Sequence, residues 1–288
     1  FNQTAFSNLK AFERSSRQLR GDGEKRLLQQ AYNYQESANS NKKGAQTIGD
    51  ANWLMFDYNR GYSDDLESSG ISDIFRIPKF AYYFYQSQRS ANVVLDSKLK
   101  SGPMVQIATY WTPNSPLDVT VYSNCDEVAL YLNDILVSKQ KPTINQNNDK
   151  LNHPPFIFNL DKFSAGTLRA DGFIKGQKVV SNIVKTPETA TKIELSYDVS
   201  SKAIHPNNPD VVFVYAKITD ANGTIIPDAN NEVTFTLNEG NGEFIGENPV
   251  KAEAGIATII LKTSNLKTPI KITASSESLQ KGTLKISK

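Results

Sequence analysis

From about residue 103 to residue 286 the sequence alternates apolar and polar residues with period two, and such a chain must form sheets with one buried and one solvated face. Residues 117–122 and 127–132 read as neighbouring strands across the turn Ser123-Asn124-Cys125-Asp126, and Asn133-Asp134 turns tightly into Ile135-Leu136-Val137. Further strands are expected over 156–160, 166–172 and 178–185, the last two joined around Lys175-Gly176. Together they make an antiparallel sandwich. A linker over 186–189 leads to a second alternating stretch, with strands over 193–197, 211–219, 232–237, 255–262, 270–274 and 282–286. Its turns are Asp220-Ala221-Asn222-Gly223 and Asn238-Glu239-Gly240-Asn241-Gly242. This number and spacing of short strands predicts an immunoglobulin-like sandwich.

The first hundred residues follow another rhythm. They hold 15 of the 28 aromatic residues but one of the 13 prolines, Pro78, so a different kind of structure is joined to the sandwiches. Helices are expected over 8–13 and 23–32, where Leu27, Leu28, Ala31 and Tyr32 share a face. The polar stretch 36–50 then ends the second helix as a surface loop. Asn52-Trp53-Leu54-Met55-Phe56-Asp57 reads as a short strand buried on both faces, followed by a polar tip over 58–62. Pro78 opens a last helix with Phe80, Tyr83 and Phe84 on one side. The fold class is therefore mixed: a partial α/β segment over 1–100, then all-β sandwiches over 101–187 and 188–288. One central strand cannot by itself make a sheet.

Chemistry-bearing residues are sparse. A net charge of +2 leaves no field to hold a polyanion, so nucleic acid is not an expected partner. A single cysteine, Cys125, forms no internal disulfide, and His153 and His205 are loop residues far apart; no metal site and no cofactor are expected. No apolar run reaches the length of a membrane span, and no signal peptide is recognisable at Phe1. Arg20-Gly21-Asp22 matches an adhesion tripeptide, but turn chemistry accounts for it, with Asp22 capping the following helix. Asp220 through Gly223 lacks the alternating acids of a calcium loop and reads as a hairpin turn. Asp64-Asp65, and Asp57 with Asp73, read as solvated or capping carboxylates.

The strongest local signal is Trp53 with Asp57, Asn59 and Arg60 at the carboxyl end of the expected strand. In β/α architectures that end faces the ligand, and an indole there can stack on a pyranose while polar neighbours bind hydroxyls. On the residues alone Trp53 is either such a platform or a core tryptophan.

The stretches Gly49-Asp50-Ala51-Asn52-Trp53-Leu54-Met55-Phe56-Asp57-Tyr58-Asn59-Arg60-Gly61-Tyr62 and Gly70-Ile71-Ser72-Asp73-Ile74-Phe75-Arg76-Ile77-Pro78-Lys79-Phe80-Ala81-Tyr82-Tyr83 resemble the last strand and helix of the catalytic barrel of glycoside hydrolase family 2, in its β-galactosidase-type branch. Arg20-Gly21-Asp22-Gly23-Glu24 and Gln35-Glu36-Ser37-Ala38-Asn39 are similar to the preceding segment. Val121-Tyr122-Ser123-Asn124, Val128-Ala129-Leu130-Tyr131-Leu132-Asn133-Asp134, His153-Pro154-Pro155-Phe156 and Gly166-Thr167-Leu168 resemble the following sandwich, with Asp134 where the family usually has Gly. The last module is similar to invasin-like immunoglobulin domains.

The resemblance implies a (β/α)8 barrel remnant over 1–100 and a retaining hydrolase of β-linked galactosides, whose two glutamates sit about 5 Å apart on earlier strands. Both are expected upstream of Phe1; Glu13, Glu24, Glu36 and Glu67 lack the strand-end context, so the chain alone is expected to be inactive. It places Trp53 against the sugar, with Asp57, Asn59 and Arg60 as further substrate-binding candidates or rim ion pairs, and has Asp73 and Arg76 fix the loop before the last helix. The partners it implies are the remaining barrel of a parent chain and, through the exposed remnant, another copy. Cysteine scarcity and the immunoglobulin-like modules make the bacterial periplasm or cell surface the expected location. The rival reading is a non-catalytic carbohydrate-binding or adhesion protein, with Trp111, Tyr110 and Tyr122 as a stacking face.

Overall fold

The computed structural model describes residues 18–61, 66–96, 99–198, 204, 207–264 and 268–287. The expected helix over 8–13, Glu13, Asp64-Asp65 and His205 lie outside the described residues. The chain forms two compact units, Phe1–Thr186 and Pro187–Lys288.

In the first unit a 3₁₀ turn, Arg20–Asp22, leads into helix α1, Glu24–Lys43. Asp22 does not cap α1 through its side chain: its Oδ2 accepts from Leu19 N at 2.9 Å and closes the 3₁₀ turn, while Gly23, at φ 95°, occupies the cap position. Leu27, Leu28, Ala31 and Tyr34 form the buried stripe of α1. The helix runs well past the point where polar composition predicts a loop, because tertiary hydrogen bonds hold its polar end. Asn39 Nδ2 donates to Gln146 O (3.1 Å) and Asp149 Oδ1 (3.0 Å), and Asn39 Oδ1 accepts from Lys150 N (2.7 Å). Lys43 at the negative end of the helix pairs with Asp149.

Residues 52–57 are extended but are not a strand buried on both faces. Among the described residues they pair with one segment: Ile71 N donates to Leu54 O, Ser72 N to Met55 O and Asp57 N to Ser72 O, each at 3.0 Å. With no further sheet beside them among the described residues, Trp53 and Met55 stay 66% and 45% exposed. A two-residue hairpin, β1 (Tyr58–Asn59) with β2 (Leu66–Glu67), follows. Helix α2, Phe80–Ser87, starts after Lys79 rather than at Pro78. Its Phe80, Ala81 and Phe84 share one core with Leu27, Leu28 and Ala31 of α1 and with Ala108, Tyr122 and Leu151 of the sandwich, so the N-terminal segment and first sandwich are one packed body.

That sandwich has a three-stranded sheet, β3 (Val105–Ile107), β4 (Asp118–Ser123) and β7 (Phe156–Asn159), in the order β3-β4-β7. The facing sheet has the order β6-β5-β8-β9, with β5 (Glu127–Leu132), β6 (Ile135–Gln140), β8 (Thr167–Ile174) and β9 (Gln177–Lys185). Strand β3 lacks a sequence signal because three residues are too few to show a period. Asn133 and Asp134 have φ 49° and 63°, so the two-residue turn keeps left-handed geometry without glycine.

The second unit packs β10-β11-β15-β13 against β14-β12-β16-β17, all pairs antiparallel. The strands are β10 (Lys192–Asp198), β11 (Asp210–Thr219), β12 (Glu232–Glu239), β13 (Gly242–Ile245), β14 (Val250–Lys251), β15 (Ile256–Thr263), β16 (Ile270–Ser275) and β17 (Gly282–Ile286). Val212, Val214, Ala216 and Ile218 of β11 alternate into its core against Phe235, Ile259, Leu261 and Ile272. The short β13 and β14, separated by Gly246-Glu247-Asn248-Pro249, show no alternation in the sequence.

Candidate functional site

The polar end of α1 and the extended segment after it enclose a cleft of about 530 Å³. Trp53 lines it together with Tyr34, Glu36, Ser37, Ser40, Asp50, Asn52 and Tyr85. The Tyr34 hydroxyl lies 2.5 Å from Ser69 O and 3.2 Å from Trp53 O, fixing the backbone that carries the indole. Tyr85 donates to Asn52 Oδ1 at 3.2 Å, and the Tyr34 and Tyr85 ring centroids are 5.7 Å apart. Burial first, then the charge of Asp50, pushes the Tyr85 phenol up; burial and then Tyr85, Asp57 and Glu67 do the same to Tyr34. Both phenols stay protonated through the neutral range. The Trp53 ring rests edge-on against Tyr58 at 6.3 Å, and the Trp53–Leu54 peptide is cis. An exposed indole, two fixed tyrosines and a lining of hydroxyl, amide and carboxylate groups offer the apolar face and hydrogen-bonding partners that a sugar ring can use.

Of the four residues singled out in the sequence, only Trp53 lines this cleft. Asp57 is buried: its Oδ1 accepts from Lys79 Nζ at 2.8 Å and Gly70 N at 2.9 Å, with both ionic side chains at 0% exposure. Burial raises its pKa to about 7, with Lys79 acting in the opposite direction. It is therefore a structural carboxyl that holds the extended segment to α2. Arg60 pairs with Glu67 at 2.9 Å, and the exposed Asn59 accepts from Gly61 N at 2.8 Å. Asp73 does fix the loop before α2: its Oδ1 accepts from Phe75 N and Ile77 N, and its Oδ2 takes Arg20 Nε at 2.7 Å. Arg76 stacks on Phe56, 3.8 Å from the ring centroid.

Glu24 accepts from Tyr110 N (3.1 Å) and the Ser115 hydroxyl (2.6 Å), clamping the start of α1 to the sandwich. The stacking face of the rival reading does not exist as a surface: Trp111 is 0% and Tyr122 2% exposed, and the Trp111 indole N–H donates to Ser164 O at 3.0 Å. Cys125 is buried, which pushes its thiol up. Asp220 is buried too, yet three backbone donors, from Glu188, Asn222 and Thr224, hold it below the ordinary carboxylate range. Among the described residues no group of His, Cys, Asp and Glu is placed to hold a metal ion, and no helix is long and apolar enough to cross a membrane.

Residues 193–285 match the Glycoside hydrolase family 2 C-terminal domain 5, and residues 114–180 match a domain of unknown function, DUF4982. A beta-galactosidase from Thermoanaerobacter pseudethanolicus is 34% identical over 233 residues, covering 75% of this chain and 30% of that protein. A beta-galactosidase from Bacteroides ovatus is 30% identical over 254 residues, covering 82% and 28%. A beta-glucuronidase from Formosa agariphila is 28% identical over 200 residues, covering 68% and 19%. In fold, a beta-glycosidase from Bacteroides vulgatus superposes with a TM-score of 0.67 at 24% identity, covering 81% of this chain and 30% of that one. The layout is thus that of the C-terminal region of a multidomain glycosidase. The chain belongs to glycoside hydrolase family 2 and corresponds to the C-terminal portion of its members. It spans between 18% and 34% of the length of the curated relatives it matches.

Proposed function

We propose that the chain is the C-terminal portion of a retaining hydrolase of β-galactosides, in which residues 18–96 complete a (β/α)8 barrel and Trp53 stacks on the sugar. The exposed indole in the cleft that Tyr34 and Tyr85 also line carries this reading. The two curated relatives at 30% identity or more support galactosides over other β-glycosides. The parallel bridge Phe56 to Ser72, with two helices packed behind it, supports a strand and helix pair that belongs beside further strands.

In this reading the acid/base and nucleophile glutamates belong to other strands of the barrel. Glu24 is spent on Tyr110 and Ser115 and Glu67 on Arg60, which supports leaving both out of catalysis. The chain alone then binds a sugar without hydrolysing it. Exposed Ile48, Met55 and Val94 support pairing of this segment with the rest of the barrel or with another copy, in a bacterial periplasm or at a cell surface. The test is affinity electrophoresis in a gel carrying immobilised β-galactoside, alongside an assay with an aryl β-galactoside. Retardation that Trp53→Ala removes, with no aglycone released, is the expected pair of results. Release of aglycone, or migration indifferent to Trp53, overturns the reading.

A further inference from the structure

The relatives divide between beta-galactosidases and beta-glucuronidases, whose substrates by name differ in one charge and in the configuration at C4, and the cleft wall bears on the charge. Two carboxylates, Glu36 and Asp50, line the cleft, and no Lys or Arg does among the described residues. Glu36 lies on the α1 wall, half-buried, and makes no ion pair among the described residues. Asp50 Oδ2 accepts from the neutral Asn41 Nδ2 at 3.0 Å, which orients the carboxylate without cancelling its charge. That charge reaches across the cleft to the Tyr85 hydroxyl. The nearest cations of α1 are engaged elsewhere: Lys42 Nζ donates to Asn152 Oδ1 and Lys43 Nζ to Gln146 O and Asp149. The remaining polar lining, including Ser37, Ser40 and Asn52, is uncharged and suited to hydroxyl groups.

We propose that Glu36 and Asp50 are specificity-determining residues that set this cleft for a neutral hexoside and against a uronic acid. The inference rests on the reading of the Trp53 cleft as the sugar site. The carboxylates accept hydrogen bonds from sugar hydroxyls, and the same charges repel the carboxylate of a glucuronide. Two like charges near a bound anion at a protein surface reduce affinity on the order of tenfold at low ionic strength, an effect that salt screens.

The experiment titrates the 288-residue chain with methyl β-galactoside and, separately, methyl β-glucuronide, following the indole N–H resonances of the two tryptophans. Buried Trp111 reports that the fold is intact. Galactoside is expected to bind on the order of tenfold tighter than glucuronide at low salt, the gap narrowing at high salt and in Glu36→Gln and Asp50→Asn. Equal or tighter glucuronide binding overturns this inference and leaves the sugar site standing, as does a gap that neither salt nor the substitutions change. Failure of both glycosides to move Trp53 removes the sugar site and the inference together. The salt series uses the unmodified chain, so a variant that fails to fold does not decide the matter.

Discussion

Lys79 Nζ lies 2.8 Å from Asp57 Oδ1, with neither side chain reaching solvent, and this pair locks the segment carrying Trp53 onto the start of α2. Removing one member leaves a buried charge without its counterion, which costs about 3–5 kcal/mol; replacing both with apolar residues is close to neutral. Urea unfolding at a pH above about 8, where the carboxyl is ionised, is expected to show that loss for Asp57→Ala and for Lys79→Met. The double variant Asp57→Leu/Lys79→Met is expected to recover most of it.

The same carboxyl makes stability depend on pH. Burial, acting against Lys79, raises Asp57 to about 7 from an ordinary value of 3.8. Between those values the native state keeps a proton that the unfolded chain has released, so stability from this group falls as pH rises through the window and is flat above it. Urea midpoints across that range are expected to decline in the unmodified chain relative to Asp57→Asn. A relative rise would show that Lys79 outweighs burial.

How much of this was legible beforehand varied with the physics involved. The long strands of both sandwiches announce themselves because a half-buried strand needs alternation, whereas Val105–Ile107 and Gly242–Ile245 are too short to show it. The second half of α1 looks like a loop because Asn39 is polar; its hydrogen bonds come from a loop more than a hundred residues away. Asp57 resembles a site residue because its counterion, Lys79, is 22 positions distant. Trp53 stands out in the sequence as either a platform or a core tryptophan, and the family resemblance favours the platform; Glu36 and Asp50 do not stand out, since only the fold brings a helix face and a loop carboxylate onto one cleft.

Glu24 offers a separate test of how the N-terminal segment is held. Glu24→Ala strips the acceptor from Tyr110 N and the Ser115 hydroxyl and removes an acid from the first turn of α1. A loss of about 1–3 kcal/mol is expected in chemical denaturation.

Asp134 tests the turn between β5 and β6. At φ 63° it sits in the left-handed region, which Asp tolerates better than a β-branched residue and glycine adopts freely, and its exposed ion pair with Arg169 at 3.6 Å adds little. Asp134→Gly is expected to shift the thermal midpoint little, and Asp134→Val to lower it. Gly166→Ala is expected to lower the thermal midpoint too, since at φ 137° any Cβ is strained and would displace Asn133 Oδ1, which accepts from Thr167 N at 2.8 Å.

The central claim is that the exposed indole of Trp53 is a sugar platform. With two tryptophans, one 66% exposed and the other fully buried, indole N–H spectra during a methyl β-galactoside titration address it directly. The account predicts a saturable shift of the Trp53 resonance, a stationary Trp111 resonance, and no saturable binding to Trp53→Ala. A Trp53 resonance that stays fixed to the solubility limit of the sugar would contradict it.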